Sequence, residues 1–145
     1  SLERVRCVLD ETLRLHPTLP FISRGPKEDT LLGGRYLVPR GQPVALLLSA
    51  IQRDPEVWPN PLRFDPDRFL PERARKRPAS AYKPFGVGRR TCLGRSFALV
   101  EATLALAMIV QRFEFDDPGP LRLALSPVPR PHAFRLGLRA RRPDA

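Results

Sequence analysis

Lys83-Pro84-Phe85-Gly86-Val87-Gly88-Arg89-Arg90-Thr91-Cys92-Leu93-Gly94-Arg95 sets three glycines around one cysteine, immediately ahead of a long apolar run. Gly86, Gly88 and Gly94 allow sharp turns and leave backbone N–H groups uncovered. Cys92 falls at the N-terminus of the helix that the apolar run predicts, where the helix dipole favours an anionic sulfur. A thiolate held this way, with one face open, suits a soft or borderline metal. A lone cysteine in a glycine-rich turn is also a common structural residue, and the bare residues leave that alternative open. Zinc is disfavoured, because only His16, His132 and Cys7 could join Cys92 and none has the close spacing of a zinc site. A phosphate loop is disfavoured as well, since Gly86-Val87-Gly88 lacks the Lys-Ser or Lys-Thr ending.

Downstream, only Glu101 and Thr103 are polar among the fourteen residues from Phe97 to Val110. The pattern predicts a helix that is apolar all round and buried on every side. It is shorter than the roughly 20 apolar residues that cross a bilayer. A chain of 145 residues has room for one domain and hardly supplies the neighbours such a helix wants. A larger surrounding protein is therefore expected. The start of the chain points the same way, since Ser1-Leu2-Glu3-Arg4 already reads as helix without a cap run.

Upstream, Leu2, Val5, Leu9 and Leu13 recur at steps of three and four and predict a helix over residues 2–15, closed by His16-Pro17. Glu11 and Arg14 sit on this helix roughly opposite the apolar stripe, which by itself reads as a solvated ion pair. Cys7, one turn earlier, reads as a small packing residue. Strands are expected at 35–38, after Gly33-Gly34, and at 43–48, after Arg40-Gly41. The proline-dense stretch 54–71 should meander as ordered loop, pinned by Trp58, Phe64 and Phe69. Arg73, Arg75, Lys76, Arg77 and Lys83 read as an exposed basic loop without a domain boundary, and the alternation around Ala133 to Leu138 reads as a hairpin or short strands. His16 and His132 read as local or surface residues.

The 18 prolines cut the chain into short elements. A net charge of +10 admits a nucleic acid, an anionic membrane surface or an acidic protein as partner. Nucleic acid is disfavoured because aromatics do not alternate with the basic residues as a stacking surface requires. No stretch reads as a secretory leader or membrane span. Two distant cysteines form no disulfide framework, so a reducing, cytoplasmic location is expected, with an upstream membrane anchor left open.

Phe85, Gly88, Arg90, Cys92 and Gly94 match position by position the Phe-x-x-Gly-x-Arg-x-Cys-x-Gly signature of the cytochromes P450, and the chain resembles that family. Glu11-Thr12-Leu13-Arg14 resembles the Glu-x-x-Arg motif of its K helix, and Pro66-Asp67-Arg68-Phe69 the Pro-Glu-Arg-Phe motif of its meander. The resemblance covers essentially all of residues 1–145 but about the last third of a family domain. It implies a mainly α fold with small β-sheets: K helix, meander, cysteine-ligand loop, L helix and C-terminal hairpin.

It further implies haem b held through the axial ligand Cys92, with electrons drawn from NAD(P)H through a redox partner. The implied reaction is monooxygenation of an apolar small molecule. Phe85, Gly86, Arg90 and Gly94 would bind the cofactor, Arg90 by pairing with a propionate and Phe85 by shielding the sulfur. Glu11, Arg14 and Arg68 would form a buried charge triad. Leu19, Phe21 and Ile22 would line the substrate pocket. The basic loop with Arg89 and Arg95 would receive an acidic flavin reductase or ferredoxin-type donor. The stretch from Lys27 to Tyr36 resembles bacterial self-sufficient fatty-acid hydroxylases, which makes a fatty acid a candidate substrate. Without the upstream distal machinery the chain alone is expected to be inactive. The rival reading is a truncated, noncatalytic interaction module.

Overall fold

The computed structural model describes residues 1–116, 122–125, 128–132 and 135–141. Helix α1 spans Leu2–Leu15. The His16 N–H closes its last turn on the Thr12 carbonyl at 2.7 Å, and Pro17 follows. Arg14 in that turn complements the negative end of the helix dipole.

The face that α1 buries is not its apolar stripe. Cys7, Glu11, Arg14 and Leu15 are buried, whereas Leu2 is exposed and Val5, Leu9 and Leu13 are half-buried. Cys7, Glu11 and Arg14 follow one another at steps of four and three and so share one side of the helix. The solvated pair expected from the helical wheel is thus corrected. A carboxylate and a guanidinium that neutralise and hydrogen-bond each other escape most of the cost of leaving water.

Strand β1 (Phe21–Arg24) pairs antiparallel with β4 (Val44–Leu47), setting Phe21 opposite Leu47 and Arg24 opposite Val44. Strands β2 (Thr30–Leu32) and β3 (Tyr36–Val38) form a hairpin. Its turn places Gly33 and Gly34 at φ of 60° and 68°, the pair of positive values that a type I′ turn needs. The expected strands at 35–38 and 43–48 correspond to β3 and β4, except that Leu48 opens a short helix, α2 (Leu48–Ile51). β2, short and exposed on every residue, carries no apolar alternation by which to read it.

The meander is ordered, with a 3₁₀ turn at Pro66–Phe69 and a short helix, α3, at Pro71–Ala74. Both open on proline, whose missing N–H is no loss at a helix start. The Asp65 carboxylate caps the first turn by accepting from the Asp67 N–H at 3.2 Å. Trp58, 1% exposed, meets Phe69 at 5.9 Å and Tyr82 at 6.5 Å between ring centroids. Phe64 takes no part in pinning this stretch and stands 49% exposed. Arg77 also departs from expectation: it is half-buried, with its guanidinium 4.1 Å from the Trp58 ring centroid and 4.7 Å from that of Phe69. A guanidinium is weakly hydrated and flat enough to stack, which is why Arg77 leaves the basic loop. Lys83, expected in the same exposed loop, is half-buried too, its backbone N–H held by Gln52.

Helix α4 runs Arg95–Arg112 and packs against α1. Within the described residues α4 is only partly covered: Leu99 and Ala107 are buried, but Phe97, Val100, Leu104 and Met108 are exposed. No element among the described residues covers that side. Beyond it, β5 (Phe113–Phe115) pairs with β8 (Leu138–Ala140), and β6 (Arg122–Leu125) with β7 (Pro129–His132). Ala133 and Phe134, placed in the expected hairpin, lie outside the described residues. The described residues form helix with four small two-stranded sheets.

The largest fully buried side chains are Trp58, Arg14, Gln52 and Glu11, so the centre of this fold is a polar network. Gln52 ties it together. Its Nε2 donates to the Leu13 and Arg14 carbonyls at 3.0 and 3.1 Å, both orphaned by the end of α1. Its Oε1 accepts from the Lys83 N–H at 3.0 Å, where the chain enters the cysteine loop. Gln52→Leu would leave these buried groups unpartnered, and we expect a loss of about 3 kcal/mol. The denaturant midpoint measures it, and a midpoint matching the parent would show that water replaces the amide.

Candidate functional site

The loop between Tyr82 and α4 is shaped by short backbone contacts around Cys92. The Gly86 N–H donates to the Lys83 carbonyl at 3.0 Å, the Thr91 N–H to Gly88 at 3.0 Å, and the Cys92 N–H to Phe85 at 2.9 Å. Gly86 and Gly88 have φ of 74° and 71°, a region that strains any side chain. The Thr91 hydroxyl also donates to the Gly88 carbonyl at 2.8 Å, tightening the 3₁₀ turn Gly88–Arg90.

These constraints leave Cys92 exposed with a free thiol, two residues before Gly94, the N-cap of α4. A Cβ added at Gly94 would lie 4.0 Å from the Cys92 Sγ, in ordinary van der Waals contact, so Gly94 adjoins the sulfur. Leu93 is fully exposed and Phe97 is 72% exposed. Phe85, joined to Cys92 through its carbonyl, is half-buried, and Arg89 and Arg90 are exposed.

Behind the loop, Glu11, Arg14 and Arg68 meet. Glu11 accepts from Arg14 Nε at 2.6 Å and Nη2 at 2.8 Å, and from the Asp65 N–H at 2.8 Å. Arg14 Nη1 donates to the Gln52 and Pro61 carbonyls at 2.9 and 2.8 Å, and Nη2 also reaches Arg63 at 3.3 Å. All five guanidinium N–H groups of Arg14 thus have acceptors. Arg68 is held more loosely, its Nε 3.5 Å from Glu11 Oε1 while its Nη2 donates to Asn60 at 3.0 Å. Arg77 donates to the Arg68 carbonyl. Burial holds the Arg77 pKa below the usual guanidinium value.

Tyr82 donates its hydroxyl to the Asp10 carboxylate at 2.9 Å, fastening the loop entrance to α1. Burial, then the Asp10 charge, raises its pKa. Cys7 is raised by burial first and by Asp10 next.

Leu19, Phe21 and Ile22 do not form one wall. Ile22 is half-buried and lines an apolar hollow of about 580 Å³ with Leu46, Leu48, Val57 and Val87. Leu19 and Phe21, 49% and 54% exposed, are not part of that wall. Successive strand residues point to opposite faces, which separates Phe21 from Ile22. Gln52, Arg77 and Tyr82 were not singled out by sequence as parts of the site's support. A glutamine closing an apolar run is the one local hint for Gln52.

Among the described residues no group of three or more His, Cys, Asp or Glu side chains could hold a metal ion. A single exposed sulfur is a poor site for a bare ion. It fits a metal that already carries a macrocycle of nitrogen ligands and needs one axial donor, with exposed apolar residues nearby and a cation for the ring's acidic edge.

The family model described as cytochrome P450 matches residues 1–124. The chain is 41% identical over 148 residues to the bifunctional cytochrome P450/NADPH–P450 reductase 2 of Bacillus subtilis (strain 168), covering 100% of this chain and 14% of that protein. It is 44% identical over 152 residues to a bifunctional cytochrome P450/NADPH–P450 reductase of Aspergillus oryzae, covering 96% of this chain and 14% of the relative. The crystal structure of the cytochrome P450DA heme domain superposes with a TM-score of 0.92 at 44% identity, over 97% of this chain and 31% of that one. The present residues therefore span a small part of each protein they match.

Proposed function

The chain belongs to the cytochrome P450 family, and on that premise we propose that it supplies the proximal, haem-ligand side of a haem-thiolate monooxygenase. The observation that carries the proposal is the exposed free sulfur of Cys92, presented on a glycine-shaped loop and, among the described residues, part of no cluster of three or more metal-ligating side chains. Haem b, when bound, supplies dioxygen activation and the insertion of one oxygen atom into an apolar substrate.

The tasks of this chain are binding, orientation and exclusion of water. Cys92 would hold the haem iron through its thiolate. Gly86, through its positive φ, and Gly94, as the N-cap of α4, would shape the loop that carries the cofactor, Phe85 would shield the sulfur, and Arg90 would pair with a propionate through a guanidinium shaped for carboxylates. The Glu11–Arg14–Arg68 network and Gln52 hold the loop's support in place. Leu19 and Phe21 are offered to the substrate side, and a fatty acid is the proposed substrate class.

Electrons come from NADPH through a reductase; the fused architecture named for the relatives supports this donor. Arg73, Arg75, Lys76, Arg89 and Arg95, all exposed, form the proposed docking face for an acidic partner. Arg77 is withdrawn from that face by its stacking. Two free thiols support a reducing, cytoplasmic location.

The test is a carbon monoxide difference spectrum of the dithionite-reduced, haem-loaded protein, for this chain and for its full reading frame. A far-red-shifted Soret band in the full reading frame is expected. Its absence there would overturn the haem-thiolate reading in favour of a noncatalytic interaction module.

A further inference from the structure

Away from the cysteine loop, a cavity of about 500 Å³ opens between residues 56–60, the meander and the 73–78 loop. This is within the size range of small-ligand sites. Its wall carries five cations, Arg63, Arg68, Arg73, Lys76 and Arg77, against the carboxylates of Glu56 and Asp65. Arg68 is matched by Glu11, and Asp65 stands 3.9 Å from both Arg68 and Arg73. Among the described residues, Arg63, Lys76 and Arg77 have no carboxylate partner.

One buried donor on a residue of the cavity wall, the Trp58 indole N–H, also lacks an acceptor. Trp58 is 1% exposed. Buried donors nearly always find partners, so this orphan beside a cation-rich cavity marks a place where an acceptor oxygen belongs. Water could satisfy the donor but not the charge. Burial that depresses the Arg77 pKa expresses the same imbalance, since an anion nearby would favour its charged form.

A tetrahedral group with several acceptor oxygens and more than one negative charge answers both needs, and guanidinium groups bind it by paired hydrogen bonds. Val57, Pro59 and Pro78 give the cavity an apolar side that could cover a small carbon body. We propose that this cavity binds a phosphate group, free or as the head of a small phosphate ester. Long side chains at the rim, Arg73 and Lys76, are exposed and able to turn inward onto it.

The test is calorimetric titration of the haem-loaded product of the full reading frame with inorganic phosphate, and separately with glycerol 3-phosphate, with ionic strength held by sodium chloride. Saturable binding is expected. Lys76→Glu should weaken it by about tenfold, and the remote exposed Arg24→Glu should leave it unchanged. Tighter binding of the ester would identify esters as the source, and equal binding free phosphate. Absence of saturable binding, or equal binding by the parent, Lys76→Glu and Arg63→Glu, would overturn the proposal. An unchanged visible spectrum shows that the variants have folded, and phosphate binding is read independently of the thiolate band.

Discussion

Glu11→Ala is expected to destabilise the haem-loaded protein by about 4 kcal/mol, because it removes the only carboxylate in contact with a fully buried guanidinium. Arg14 would keep its carbonyl acceptors on Gln52, Pro61 and Arg63 but no counter-charge. The Asp65 N–H would lose its acceptor and Arg68 its nearest anion, so α1 and the meander would part where they now share Glu11. Glu11→Gln keeps an acceptor oxygen but not the charge, and should fall between parent and alanine variant. The double variant Glu11→Met, Arg14→Leu should be less damaged than the sum of the singles, because neither charge is left stranded. Denaturant unfolding measures the parent, the three Glu11 variants, Arg14→Leu and the double variant. A loss below about 1 kcal/mol for Glu11→Ala would place the pair among ordinary exposed ion pairs and refute its structural role.

Cys92→Ala is expected to have the opposite signature, with full loss of the far-red Soret band that the proposed function predicts but little change in the stability of the haem-free protein. The thiol is exposed, and the loop's shape rests on the Cys92 N–H and on Gly86 and Gly88, which the substitution leaves intact. The change in unfolding free energy of the haem-free protein should stay within about 0.5 kcal/mol, as for surface substitutions. Cys7→Ala is the control: it trims a buried packing residue of α1 and should retain the band. A band surviving Cys92→Ala, or lost in Cys7→Ala with the fold intact, would assign the ligand wrongly.

These two cysteines show how unevenly the site could be read. Around Cys92 the meaning is local: glycines at 86 and 88 are required by backbone angles that no other residue adopts cheaply, and the apolar run that follows can only be a helix. The turn at Gly33-Gly34 and the strand after it were legible for the same reason, but β2, and with it the hairpin, was not. At the other extreme, the resemblance implied one wall of Leu19, Phe21 and Ile22, yet strand alternation sets Phe21 and Ile22 on opposite faces of β1.

The sequence by itself determined the elements whose causes lie within a few residues: the periods of α1 and α4, the turn glycines, the proline starts of the meander turns and the cysteine loop. Tertiary structure alone decided which side of each element faces inward. The wheel of α1 favours its leucines, but Arg68, the Asp65 N–H and the Gln52 carbonyl arrive from distant segments to satisfy Glu11 and Arg14, and the charged side goes in. Trp58 and Phe69 draw Arg77 out of the basic loop by stacking, while α4, apolar all round, keeps Phe97 and Leu104 exposed because no described element reaches them. Burial of a polar group is settled by the partners that reach it from elsewhere in the chain, and no local pattern announces them.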